Sequence, residues 1–167
     1  LLDAGMEVLA DKGYHAARVD DIVDTAGVSH GTFYLYFANK EDLLRQLAIE
    51  CAGAIEDLAT RVPAVGPDAD GLAALQEYLG TFLATYGHYG VVIRAWMEQQ
   101  VSDRDVDRLG VQAFTHLAEA FAARLAESGA PHDRPTVAAL TALLERTTYA
   151  VTSRDLPLDA DAALATL

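Results

Sequence analysis

Apolar residues recur at every third or fourth position along almost the whole chain, a spacing that predicts helices and no strands. The first stripe, Leu1, Leu2, Gly5, Val8 and Leu9, leaves Asp3, Glu7 and Asp11 off it and closes at Gly13. Val19, Ile22 and Ala26 form a second, shorter stripe, with Asp20, Asp21 and Asp24 on a solvated face. Gly27 stops that helix, because glycine takes φ > 0 just past a helix end, and Val28 can pack back into the joint. Ser29 is a good N-cap for a third helix bearing Thr32, Phe33, Tyr34, Tyr36 and Phe37. Phe33 and Phe37, four apart, share one face, which leaves His30, Thr32, Tyr34 and Tyr36 on or near the other. Two short helices with a tight joint, the second having a gripping face and an exposed polar face, form the pattern of a helix-turn-helix.

A fourth helix, capped by Asn39 with Glu41 and Asp42 in its first turn, runs from 40 to about 61. Leu44, Leu47, Cys51, Ile55, Leu58 and Val62 lie on one face of it. At 1.5 Å per residue it is roughly 34 Å long, enough to link a small N-terminal domain to a second body. Two prolines and a glycine in PAVGPDAD, residues 63–70, end it. Leu72, Leu75, Leu79, Phe82 and Tyr86 then make a stripe, with Tyr78 beside it. Gly87 to Gly90 break that stripe, and Val91 to Gln100 resume it around Val92, Ile93, Trp96 and Met97. Ser102 is placed to cap a short acidic turn, SDRDVD. A helix from about 108 to 128 carries Leu109, Phe114, Leu117, Phe121 and Leu125 and ends at Gly129. Another, from about 136 to 153, carries Val137, Leu140, Leu144, Thr147 and Val151, and a last short helix fits 159–167. The expectation is an all-α chain of nine or ten helices, with a three-helix head joined by a long helix to a helical second body.

Charge complicates a DNA-reading head. The chain holds 12 Lys and Arg against 25 Asp and Glu, a net of −13, which argues against a broad, sequence-indifferent grip on phosphates. Residues 1–50 are themselves acidic: Lys12, Arg18, Lys40 and Arg45 stand against nine carboxylates. A DNA binder with this balance must place its few cations well or draw on others. The chain starts at Leu1 inside a helical pattern, so a preceding segment is expected, and such arms are often basic in DNA-binding proteins. Cys51 is the only cysteine, which excludes an internal disulfide and a multi-cysteine metal site and suits a reducing cytoplasm. No uninterrupted apolar run approaches a membrane span, and no signal-peptide layout stands at the first residue. With 51% hydrophobic content, a sizeable core can be buried.

Residues 1–47 resemble the DNA-binding domain of the tetracycline-repressor (TetR) family of bacterial transcriptional regulators. The resemblance rests on the Ala-Gly pair of the first helix, Gly13-Tyr14 at its end and Ile22. It continues through Ala26-Gly27-Val28-Ser29, Gly31-Thr32-Phe33-Tyr34 and Tyr36-Phe37, with Lys40 and Leu43-Leu44 opening the long helix. It implies a DNA-binding domain over 1–47 and a ligand-binding and dimerisation domain over 48–167. It also implies that Ser29, His30, Gly31, Thr32, Tyr34, Tyr36 and Lys40 face DNA. Their chemistry agrees: Thr32 and Tyr34 can donate hydroxyls to phosphates, Gly31 permits close backbone approach, and Lys40 brings charge. His30 is the residue expected to touch a base edge, with Thr32 able to meet a thymine methyl. One departure stands out. The family usually carries Thr or Ser just before the second helix, as cap and phosphate contact, whereas Ala17 and Arg18 stand here, so Arg18 is expected to supply that contact by charge.

The resemblance also implies a small-molecule cavity among the middle helices. Tyr78, Phe82, Tyr86, Tyr89, Trp96, Met97, Gln99, Phe114, Leu117, Phe121 and Tyr149 are the candidate lining, with Arg94, Glu98, His88 and His116 nearby in sequence. Periodicity does not sort pocket from plain core. Helices 108–128 and 136–153 correspond by position to the family's dimerising pair, which packs with its twin as a four-helix bundle. Ala113, Ala118, Ala138 and Ala142 permit close approach there and fit an intramolecular core equally well. An enzyme is not expected: His116 and Glu119 share a helix face, but there is no HExxH and no nucleophile elbow, and neither cofactor nor metal is implied. The expectation is a cytoplasmic one-component regulator, a repressor, that binds a pseudo-palindromic operator as a homodimer and responds to a small molecule. The alternative is an all-helical protein-interaction or small-molecule-binding module that has lost specific DNA binding.

Overall fold

The computed structural model describes residues 1–64, 66, 68–97 and 103–152, and of Trp96, Met97 and residues 149–152 it describes the backbone alone. Among the described residues the regular structure is seven helices and no strand. They are α1 (Leu2–Ala16), α2 (Val19–Ala26), α3 (His30–Tyr36), α4 (Lys40–Thr60), α5 (Ala69–Met97), α6 (Arg104–Glu127) and α7 (Arg134–Thr152). The expected Ser102 cap and the expected helix over 159–167 lie outside the described residues. The chain divides into two compact units, one of Leu1–Ala52 with Val91–Gly110, the other of Gly53–Gly90 with Val111 onward. The stretch 91–110 therefore groups with the head.

In the first unit, α1 buries Val8 and Leu9 as its stripe predicts, and Met6 beside them. Its helical path breaks at Gly13, where φ is +73°, a left-handed value that a side chain would strain, before a last turn ends at Ala16. Gly5 serves a different need. A Cβ placed there would come within 2.7 Å of the Leu43 side chain, which is fully buried, so the glycine lets α1 lie close against the start of α4. Asn39 caps α4 as expected: its Oδ1 accepts the Asp42 N–H at 2.8 Å, while the Asp42 carboxylate accepts the Ala38 N–H at 3.0 Å. Val92, Ile93, Ala95 and Val106 are buried in the 91–110 segment. Arg45 ties α4 to the start of α6, its Nε donating to Asp103 at 2.5 Å. Asp103 also caps α6 by accepting the N–H groups of Asp105 and Val106. The helix thus begins four residues earlier than its apolar pattern suggests.

All six residues of the expected α4 stripe are buried. The α5 stripe is partly displaced from the expected one. Leu72 is 52% exposed, whereas Phe82 and Tyr86 are buried as expected, with Tyr78 continuing their line in place of Leu75 and Leu79, which are half-buried. Nor do Gly87 and Gly90 interrupt the helix, since neither takes a positive φ and α5 passes through both. Each glycine costs a helix interior about 1 kcal/mol, whereas burying a side chain such as Tyr86, Val92 or Ile93 returns roughly 1.5–3 kcal/mol. Packing therefore outweighs propensity there.

In the second unit the Tyr78 hydroxyl donates to the Leu58 carbonyl oxygen at 3.3 Å, and its ring meets Phe121 edge-on at 5.9 Å. Arg124 Nε donates to the Val62 carbonyl oxygen at 2.9 Å, satisfying the chain just past α4. Asp133 caps α7 through the Thr136 N–H, and Pro135 sits in the first turn, where its missing donor costs nothing. His116 on α6 donates from Nδ1 to Glu56 on α4, at 2.9 and 3.0 Å from the two carboxylate oxygens. The hydrogen bond to Glu56 and its charge raise the His116 pKa above the ordinary 6.5, against opposing desolvation, and Glu119 adds a smaller push. A histidine raised in the folded state contributes stability that is complete below its unfolded pKa and lost as pH rises through the folded one. The melting temperature of the native chain should therefore exceed that of His116→Gln by more at pH 6 than at pH 8.5. A gap that stays constant between those two pH values would sink this linkage.

Candidate nucleic-acid interface

The α2–α3 joint is built as its glycine implies. Gly27 takes φ +65°, its N–H donates to the Asp24 carbonyl and the Val28 N–H to the Val23 carbonyl, the paired bonds that close a helix with a left-handed glycine. Ser29 then opens α3, its Oγ accepting the Thr32 N–H at 3.1 Å and lying 3.0 Å from the Thr32 hydroxyl. Phe33 is fully buried with Ile22 and Val23, and Phe37 packs against it at 5.5 Å between ring centroids. With that face committed, the opposite one is open. Tyr34 is 57% exposed, Tyr36 71% and Leu35 82%, and Ser29, His30 and Gly31 are exposed at the N-terminal turn. Leu35 was not among the residues expected at the site, although the signal was available: two positions after a buried phenylalanine, a helix has turned by about 200°.

Charged groups around this face are largely engaged with one another. His30 Nε2 lies 2.6 Å from Asp20 Oδ1, so one of the acids assigned to a solvated face grips the residue expected to meet a base. Asp21 is a junction. It accepts from Lys12 Nζ at 2.7 Å and from the Arg18 backbone N–H at 3.0 Å, and the Lys12 bond foremost holds its carboxyl below the usual range. Lys40 donates from Nζ to the carbonyl oxygens of Tyr14 at 2.7 Å and Ala17 at 2.9 Å, and sits 4.4 Å from the centroid of the Tyr14 ring. Two of its three donors thus secure the end of α1, leaving one for any outside partner. Tyr14 in turn donates to Glu41. Arg45 is held by Asp103 and Asp42. Of Lys12, Arg18, Lys40 and Arg45, Arg18 is the one whose side chain makes no hydrogen bond among the described residues; its charge helps to lower the Asp21 carboxyl, and it is exposed at the cap of α2.

A helix-turn-helix with this joint, this buried phenylalanine pair and this exposed tyrosine face is matched in sequence by a family model. Residues 1–47 fit the model of bacterial regulatory proteins of the tetR family. The head of the chain, residues 1–47, is thus of the TetR type. The fatty acid metabolism regulator protein of Bacillus subtilis (strain 168) is 51% identical over 53 residues, 32% of this chain. That stretch is 27% of the relative, so the chain matches just over a quarter of it in sequence. In structure the likeness is broader. The TetR family transcriptional regulator PfmR from Thermus thermophilus superimposes with a TM-score of 0.75 at 18% identity, covering 99% of this chain and 93% of that one. The transcriptional regulator FadR from Bacillus subtilis, solved in complex with stearoyl-CoA, does so with a TM-score of 0.59 at 26% identity, covering 90% and 83%.

The helical body beyond the head sorts its aromatic residues by burial. Tyr78, Phe82, Tyr86 and Leu117 are buried, with Phe82 and Tyr86 stacked at 6.0 Å, while Tyr89, Phe114 and Phe121 are half-buried. Tyr86 also reaches Glu145 at 3.5 Å. Burial raises the Tyr78 phenol far above its ordinary value, which keeps it neutral. Trp96, Met97, Gln99 and Tyr149, as side chains, lie outside the described residues. Burial likewise pushes the Cys51 thiol up to about 12, which favours its protonated form. Among the described residues no helix is long and apolar enough to cross a membrane. On α7, Leu140 and Leu143 are exposed beside Ala138 and Ala142, and on α6 Val111 is 68% exposed on the row that continues through Thr115, Ala118 and Ala122. Ala113, grouped with the small residues of that face by sequence, is fully buried, as the core alternative allowed.

Proposed function

We propose that this chain is a one-component repressor of the TetR family that binds a pseudo-palindromic operator as a homodimer and releases it on binding a small molecule. The observation that carries the reading is α3: Phe33 wholly buried on one side, His30, Tyr34, Leu35 and Tyr36 open on the other. That is what a helix entering a major groove requires. Arg18, Tyr34 and Tyr36, and the remaining donor of Lys40, are the groups free to meet phosphates, with Ser29, Gly31 and Thr32 at the helix entrance. The exposed apolar faces of α6 and α7 support pairing of two copies, which presents two reading heads to two half-sites. Effector response follows if a ligand binds better to the state whose heads no longer match the half-site spacing. The helix α4 contributes residues to both units and is the candidate lever. The FadR of Bacillus subtilis, in complex with stearoyl-CoA, supports a long-chain acyl-CoA as the first effector class to try.

The acidity of the head and its engaged cations favour one rival, an interaction module that kept the fold without DNA affinity. Selection of the full chain on a randomised duplex library, followed by a salt titration on the enriched site, separates the two. A palindromic motif should emerge, and log K should fall with log salt with a shallow slope, on the order of −2 to −4, because few cations are uncommitted. No enriched motif would establish the rival. Stearoyl-CoA should lower affinity for the enriched site; if it does not, the effector class falls while the DNA reading stands.

A further inference from the structure

We propose that Asp20 sets which base the reading helix prefers, by holding His30 in a single hydrogen-bonding form; this rests on the DNA-reading role of α3 proposed above. Asp20 Oδ1 and His30 Nε2 are 2.6 Å apart, between α2 and the first residue of α3. An ionised carboxylate only accepts, so Nε2 carries the proton of that bond. The other ring nitrogen, Nδ1, makes no hydrogen bond among the described residues, and both side chains are exposed. In a helix-turn-helix it is the N-terminal part of the second helix that meets base edges, and His30 stands there.

The consequence is a defined chemical preference. At a pH where the ring is neutral, the proton at Nε2 leaves Nδ1 as an acceptor, so the preference is read there. In the major groove adenine N6 and cytosine N4 are donors, whereas guanine shows only N7 and O6 acceptors and thymine an O4 acceptor and a methyl group. The pair therefore favours adenine or cytosine at one position of each half-site. Removing the carboxylate frees the ring to turn and to take either tautomer, which then offers a donor or an acceptor equally. Asp20 is a positioning residue and touches no base itself. Its charge also repels phosphate, a penalty shared by every sequence.

The test uses the full chain as native, Asp20→Ala, His30→Ala and the double variant, each selected on a randomised duplex library. Each is then measured on the native consensus and its single-base variants. The native chain should prefer adenine or cytosine over guanine and thymine at one half-site position by about threefold to tenfold, the worth of one hydrogen bond. Asp20→Ala should flatten that position alone while holding or raising overall affinity, and should change nothing further at that position in the His30→Ala background. The proposal is overturned if Asp20→Ala shifts all sequences alike with the profile intact, if guanine is the preferred base, or if the two substitutions act additively. Absence of any motif with the native chain would overturn the DNA reading, and this proposal with it.

Discussion

Phe33→Ala is expected to destabilise the head by about 3–5 kcal/mol, the cost of truncating a fully buried phenylalanine. Phe33 has no exposed surface, packs on Phe37 and meets the ring of Tyr34 edge-on at 5.4 Å. It comes from a helix of seven residues, too short to hold itself by propensity, so its anchoring rests on this side chain. A loss of that size is a large share of the whole stability of a small domain. Urea unfolding followed by circular dichroism should show the midpoint falling sharply. Tyr34→Phe, which removes only an exposed hydroxyl, should stay within about 0.5 kcal/mol of the native chain. A Phe33→Ala loss below about 1 kcal/mol would mean that α3 is not anchored as described. It would also remove the physical basis for its open face, since a helix free to roll presents no fixed set of residues to DNA.

The second large effect lies far along the chain from α3. Leu143→Glu on α7 is expected to leave each subunit folded, because the native side chain is 59% exposed, yet to yield monomers in sedimentation analysis. On the pairing proposed above, operator affinity should then drop by roughly 10²–10⁴, because the second half-site contact would no longer be intramolecular. The non-palindromic remainder, a single half-site bound by a single head, should keep its base preferences. A variant that remains dimeric would place the subunit interface elsewhere. A monomer with native affinity would show instead that pairing does not supply the grip that the head's few free cations leave wanting.

The helical class and the helix-turn-helix were legible because both are written in local patterns. The α4 stripe from Leu44 to Val62 is buried throughout, and the Gly27 stop, the Ser29 cap and the Asn39 cap each depend on residues within five positions of one another. Local geometry of that kind is fixed by backbone conformation and side-chain reach, which neighbouring residues specify on their own. The boundary at Arg104 and the unbroken run of α5 through Gly87 and Gly90 were not legible. In both cases the local signal is weak, an acidic turn or a glycine penalty of about 1 kcal/mol, and burial decides.

Charge is where sequence and tertiary structure part furthest. The sequence by itself determined that the head carries few cations and that His30, Tyr34 and Tyr36 share an outward face with Phe33 opposite. Only the folded chain decided what those cations do. Lys12 meets Asp21 nine residues on, Lys40 returns across 26 residues to the carbonyl of Tyr14, and Arg45 reaches Asp103 across 58. It also decided that His30 and Asp20, ten residues apart on two helices, form one unit. Composition counts charges but does not pair them, because an ion pair needs its two groups within a few ångströms and that distance is set by how the helices pack.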